Sequence, residues 1–270
     1  MKRQIALLIL SLFIAVVLMI FQRLTGPTYP ISGKAQLGAE TIRFQLLRSH
    51  AGAADHTITV PTTNDKITGC VKWKRYKTDE PWQTVPLQRP TIGNTASLIA
   101  TLPHQPPAGK LVYLVELTDG TNTVSLTGQQ PVVIRFRGEV PPAILIPHIL
   151  FMVLAMFLGA RAALEACVNG QKIYWYACVT TASLVVGGML LGPVVQYYAF
   201  GQFWTGFPFG YDLTDNKTLL SLVVWVLALW RGRQGHLRAW IIAAFVSLFV
   251  IYAIPHSVMG SELDYSKLPK

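Results

Sequence analysis

Two histidines stand where a polar ring is expensive. His148 follows Pro147 about one turn into an apolar run, and His256 follows Pro255 at the exit of another. Ionisable groups at membrane depth are kept for a reason, so both are candidate ligands. Between them lies residues 200–217, a loop with no charge before Asp212 and with Trp204, Phe207 and Phe209 in its middle. Asp212 and Asp215 close that loop, and Glu262 and Asp264 follow His256, offering the oxygens that a hard cation wants. Each feature also has a plainer reading. The histidines can be interfacial residues bonded to carbonyls or water, and the aromatics a belt at headgroup level. Asp212 and Asp215 suit the first turn of a helix beginning near Lys217, where carboxylates cap free amides and complement the dipole.

The elements that position these residues follow from where the charges fall. Of 270 residues, 51% are hydrophobic and only 13% charged, half the share of an average soluble chain, roughly 25%. Charges thin out over residues 5–21 and most of 144–254, and crowd into 34–137. A basic start (Lys2, Arg3) before the apolar run 5–21 predicts an N-terminal transmembrane anchor, residues 1–24. No Ala-x-Ala follows that run, so it is expected to be retained rather than cleaved. Four further spans are expected at about 144–164, 174–200, 218–230 and 239–254, a C-terminal four-helix transmembrane bundle over 141–256. The third is short unless its helix starts earlier, near Asp212. Arg161 and Lys172 flank the first bundle loop, and Arg231, Arg233 and Arg238 fill the second, which puts both in the cytoplasm. The N-terminus is then cytoplasmic, and the sandwich, the aromatic loop and the tail 257–270 lie outside, as in a bacterial inner-membrane protein. The formal charge of +10 is accounted for by topology, and no nucleic-acid-binding module is present.

The charged stretch changes period. Alternating runs at 41–47, 56–60, 69–76, 97–102, 111–117, 122–126 and 132–136, broken by turn residues, read as strands of an extracytoplasmic all-β sandwich over 32–138. Asp119-Gly120 marks a hairpin. Val71, Trp73 and Arg75 share one face of their strand, and Tyr113, Val115 and Leu117 one face of theirs. Cys70 is alone in this domain, so no internal disulfide forms there; Cys167 and Cys178 sit near the cytoplasmic end of the bundle, and no Cys or His spacing suits zinc.

Two resemblances follow from these residues. Trp73 on a middle strand, Leu102-Pro103, and the run Tyr113-Leu114-Val115-Glu116-Leu117 resemble fibronectin type III and immunoglobulin-like sandwiches. That likeness implies a fold and no activity. The loop carrying Gly201 and Trp204, with His148 and His256 flanking it, resembles the tryptophan-rich segment of haem-handling membrane proteins of cytochrome c assembly. Phe200 and Gly206 stand in place of two of that segment's tryptophans, and Asp212 comes several residues late. The likeness implies haem held by His148 and His256 beneath Trp204, since neutral imidazole ligates iron and an aromatic shelf covers a porphyrin face.

No phosphate-binding loop, nucleophile elbow or His-Glu-x-x-His appears, and no acidic residue lies deep within a span. The expectation is a non-enzymatic integral membrane subunit that docks an exported or membrane partner at the outer face. The alternative is haem or another redox cofactor at His148, His256 and Trp204.

Overall fold

The computed structural model describes residues 2–90 and 96–267. The chain forms two units. One holds residues 28–139 together with the C-terminal segment from Glu262, and the other holds the N-terminal stretch to Pro27 together with Val140–Ser261.

The first unit is sandwich-like. Among the described residues its strands run β1 Ile31–Leu37, β2 Glu40–Leu46, β3 Ser49–Ala51, β4 His56–Pro61, β5 Thr68–Arg75, β6 Gln83–Pro86, β7 Ser97–Leu102, β8 Lys110–Thr118, β9 Thr123–Ser125 and β10 Val132–Arg137. One sheet has the order β3-β10-β8-β5-β6, with β9 pairing β8; β4 pairs β7, and β1 pairs β2. All pairings are antiparallel except β3 with β10. Alternation buries one face of each long strand: Ile42, Phe44 and Leu46 on β2, Val71 and Trp73 on β5, Leu111, Tyr113, Val115 and Leu117 on β8. These merge with Val60, Leu102, Ile134 and Phe136 into one core. Trp73 lies directly opposite Tyr113, and Val71 opposite Val115. At the hairpin, Asp119 accepts the N–H groups of Asn122 (2.7 Å) and Thr121 (2.9 Å), which hold its carboxyl well below the usual range.

The buried Tyr113 hydroxyl donates to the Leu47 carbonyl (2.9 Å), tying β8 to the segment after β2. Tyr113→Phe leaves that carbonyl bare and should lower the stability of the isolated sandwich, residues 28–139, by about 1 kcal/mol in urea unfolding. The experiment also checks that this unit, with a core of its own, folds alone.

The second unit is helical: α1 Lys2–Thr25, α2 Pro142–Cys167, α3 Ile173–Ser183, a π-helical stretch Leu184–Leu191, α4 Gly192–Phe200, α5 Leu213–Arg233 and α6 Leu237–Ala253. Among the described residues, four segments are long and apolar enough to cross a membrane: α1, α2, the continuous run Ile173–Phe200, and α5; α6 has 17 residues. α5 starts at Leu213 because Asp212 caps it, accepting the Thr214 N–H at 2.8 Å.

Two differences from the sequence expectation matter. First, α1 is part of the bundle rather than a separate anchor. Ser11, Ala15 and Leu18 are buried, and Ala15 and Leu18 join the bundle's core. Gln22 donates to the Tyr252 carbonyl, and Arg3 to that of Val168 (3.2 Å). Second, Arg161 is not a loop-flanking charge. It is buried, paired with Glu165 at 2.7 Å, bonded to Gln4 of α1 and stacked 4.7 Å from the Tyr176 ring centre.

Candidate functional site at one end of the bundle

α2 brings His148 against the π-helical stretch. Its Nδ1 lies 2.8 Å from the Gly187 carbonyl oxygen, which also receives the Gly192 N–H in the wide π turn. A carbonyl only accepts, so Nδ1 carries the proton and Nε2 of the neutral ring keeps the lone pair. The two glycines of this stretch allow the approach: a Cβ on Gly187 would meet Phe151 Cβ at 2.8 Å, and one on Gly188 would meet Thr218 Cγ2 at 2.5 Å.

His256 lies beyond α6, exposed, with its ring edge-on to Tyr252 at 6.4 Å between centres. Lys217, His148 and Asp212 are near enough to act on it electrostatically. Lys217 was not singled out as a site residue from the sequence. Its side chain is buried, its ammonium donates to the Ile254 carbonyl, and it lies 5.6 Å from the Tyr252 ring centre. A buried ammonium held by a carbonyl and a ring face leaves no signal in spacing or hydropathy.

The loop between α4 and α5 is built from polar bonds on its inner side. Asp215 accepts the Thr205 N–H (2.7 Å) and hydroxyl (3.2 Å), and Gln196 donates to that hydroxyl (2.5 Å). Asn216 accepts the Phe207 N–H at 2.7 Å. Asp212 accepts the backbone N–H and hydroxyl of Ser261, both at 2.7 Å. The Trp204 indole N–H is spent within the loop, on the Phe207 carbonyl at 3.0 Å. Gly206 and Gly210 have no room for a Cβ, against Asp215 and the Thr205 carbonyl respectively.

Asp212 and Asp215 therefore fasten the loop and the helix start. Among the described residues no group of three or more His, Cys, Asp or Glu is placed to hold a metal ion. Glu262 and Asp264 lie with the sandwich, where Glu262 pairs with Lys77 (3.0 Å) and Lys110 (2.7 Å), and Asp264 accepts from Ser266 and pairs with Lys267.

No protein-family model, no curated protein and no solved structure matches this chain.

Proposed function

We propose that the chain is a non-catalytic membrane subunit whose sandwich docks a protein partner on the outer face. One observation carries the reading: the sandwich binds a peptide, its own C-terminal segment. Glu262 bridges Lys77 and Lys110. The Tyr265 hydroxyl receives the Lys110 N–H (2.9 Å) and faces the Lys110 carbonyl (3.0 Å) and the Gln105 amide oxygen (3.1 Å). The Leu263 N–H reaches the Ala108 carbonyl at 3.1 Å, and the Arg75 guanidinium lies 5.2 Å from the Tyr265 ring centre. Cations placed for a carboxylate, a backbone contact and a cation over an aromatic ring are the elements of acidic-peptide recognition. A groove of about 660 Å³ stays open beside this segment, lined in part by Tyr76, Asp79 and Glu80.

The same contact supports an odd number of crossings. α1 delivers the chain to the sandwich and α2 takes it away; the run Ile173–Phe200 and α5 then cross in turn. Glu262 rejoins the sandwich, so α6 crosses as well, its 17 residues spanning ~25 Å of a core of about 30 Å. Lys2 and Arg3 then share a side with Lys172, Arg231, Arg233 and Arg238, and the positive-inside rule favours the cytoplasm for that side. In a chain stripped of native cysteines, a cysteine at Lys34 should react with an impermeant reagent in intact cells, and one at Gln234 should not. Labelling at Gln234 would overturn the orientation.

Docking is tested by placing a photo-crosslinking amino acid at Tyr76 or at the exposed Trp82 in intact cells. One discrete heavier adduct is expected. The reading fails if neither position gives an adduct and the solubilised chain has the mass of a lone copy.

Haem binding is a second reading, supported by one feature. Fixing Nδ1–H on a carbonyl, as Gly187 does for His148, is how ligating histidines are oriented. In that case His148 Nε2 and His256 would hold the iron, and haem would supply redox chemistry there. A Soret band in protein made with ample haem, lost in His148→Ala and in His256→Ala alike, would favour it over docking alone.

A further inference from the structure

The loop between α4 and α5 presents its aromatic residues outward while its polar groups face inward. Phe207 is 69% exposed, Phe209 83% and Tyr211 94%; Phe203 and, beside the start of α5, Met259 are also exposed. A soluble loop of this length would reverse that arrangement, burying rings and showing polar groups to water. No Asp, Glu, Lys or Arg occurs between Lys172 and Asp212. The backbone is also fixed, through Asp215, Asn216 and Asp212, so the exposed rings are held outward by the loop's own structure.

We infer that this loop is seated in the interfacial layer of the bilayer, with Phe207, Phe209 and Tyr211 as its anchors. Three observations select lipid as the occupant. The loop joins the ends of two segments that are long and apolar enough to span, so it begins and ends at the membrane boundary. Phe203 stacks on Tyr197 of α4, ring centres 4.4 Å apart and planes 11° from parallel, which folds the loop back along the last turn of that helix. The adjoining helices also expose apolar and aromatic side chains, Tyr197 and Tyr198 on α4 and Leu220 on α5. Amphipathic and aromatic rings are favoured at the headgroup level, and the loop's lack of charge removes the usual cost of sitting there. Beyond the docking proposal, this assigns the loop to lipid and leaves the sandwich as the surface for a protein partner.

The test uses the full chain, with Cys70, Cys167 and Cys178 replaced by serine, in phosphatidylcholine vesicles. A single cysteine at Phe209 carries an environment-sensitive nitrobenzoxadiazole probe, with Leu220→Cys as the membrane control and Lys66→Cys as the aqueous control. Probe emission at residue 209 should be blue-shifted relative to residue 66. It should be quenched more by a nitroxide near the headgroup than by one deep in the acyl chain, and be protected from aqueous iodide. Residue 220 should be quenched by lipid-borne nitroxide, which certifies insertion. If residue 209 behaves like residue 66 while residue 220 is quenched, the loop stands in water and the inference is wrong; the rings would then be free for a protein.

Discussion

Glu165→Gln should destabilise the helical unit by about 3–5 kcal/mol, read as loss of thermal or denaturant stability in detergent micelles. Arg161 and Glu165 are one turn apart on α2, their side chains 1% and 2% exposed and 2.7 Å from each other. Around the pair the packing is closed. Tyr176 covers the guanidinium, Gln4 caps it, and Gly170 lies so close to the Glu165 carboxyl that no Cβ fits there. Neutralising Glu165 strands a buried cation that cannot lose its proton. Arg161→Met should cost less, because it removes the charge that cannot be neutralised. Replacing both residues, Arg161→Met with Glu165→Leu, should return most of the loss, since desolvating a buried pair consumes much of its attraction. The pair does not hold the helices in this way if Glu165→Gln unfolds with the wild type, or if the double variant is no better than the worse single one. Because Gln4 reaches the same guanidinium, the cycle also reports how firmly α1 is held.

Arg161 shows what a linear reading of charge misses. Counted along the chain it looks like one of the basic residues that set topology, and nothing in hydropathy says that it faces inward. Its environment is made by residues from three helices, Gln4, Glu165 and Tyr176, whose meeting is decided by packing. His148 is similar: its partner is the Gly187 backbone, and a carbonyl has no sequence signature. Strands fared better where inward positions are large. Ser97–Leu102 is found where its alternation places it, and β5 begins one residue before its expected start. The strand Ile31–Leu37 was not anticipated, because its inward residues include Gly33 and Ala35, too small to mark a face. Gln83–Pro86 has a single inward apolar residue, Val85, too little to mark an alternation, and is a strand through its pairing with β5. The start of α5 hides for another reason. Its first turn is polar so that Asp212 can cap it and Asp215 can fasten the loop, and that same polarity pushes the apolar run later. Both aspartates were legible as capping candidates, whereas the bonds from Thr205 and Ser261 that decide their roles come from folding.

The isolated sandwich should lose stability between pH 6.5 and pH 4 through His56. This residue opens β4, is 4% exposed, and has its Nδ1 at 3.3 Å from the Nδ1 of His50. His50 Nε2 lies 2.8 Å from the Ala54 carbonyl, so it carries the proton and His50 Nδ1 accepts from His56. Burial, and next the proximity of His50, pull the His56 pKa down from 6.5 to about 4. Between those values the unfolded chain binds a proton that the folded one refuses. The stabilising effect is therefore complete above pH 6.5 and is lost as the pH falls. A difference of this size is worth about 3 kcal/mol in total, of which about 2 kcal/mol is gone by pH 5. Asp55, next to it in the chain, is occupied by the His104 N–H at 2.7 Å and lies on the surface. Asp119, whose carboxyl is held low by Asn122 and Thr121, loses its contribution only below this window. Urea unfolding of residues 28–139 at pH 7, 6, 5 and 4.5, for wild type and His56→Gln, separates His56 from the other titrating groups. The wild type should steepen its loss below pH 6.5, and His56→Gln should be flatter across the same range, whatever its starting stability. Parallel curves for the two proteins would remove His56 as the cause and leave the histidine pair as a structural contact that carries no acid sensitivity.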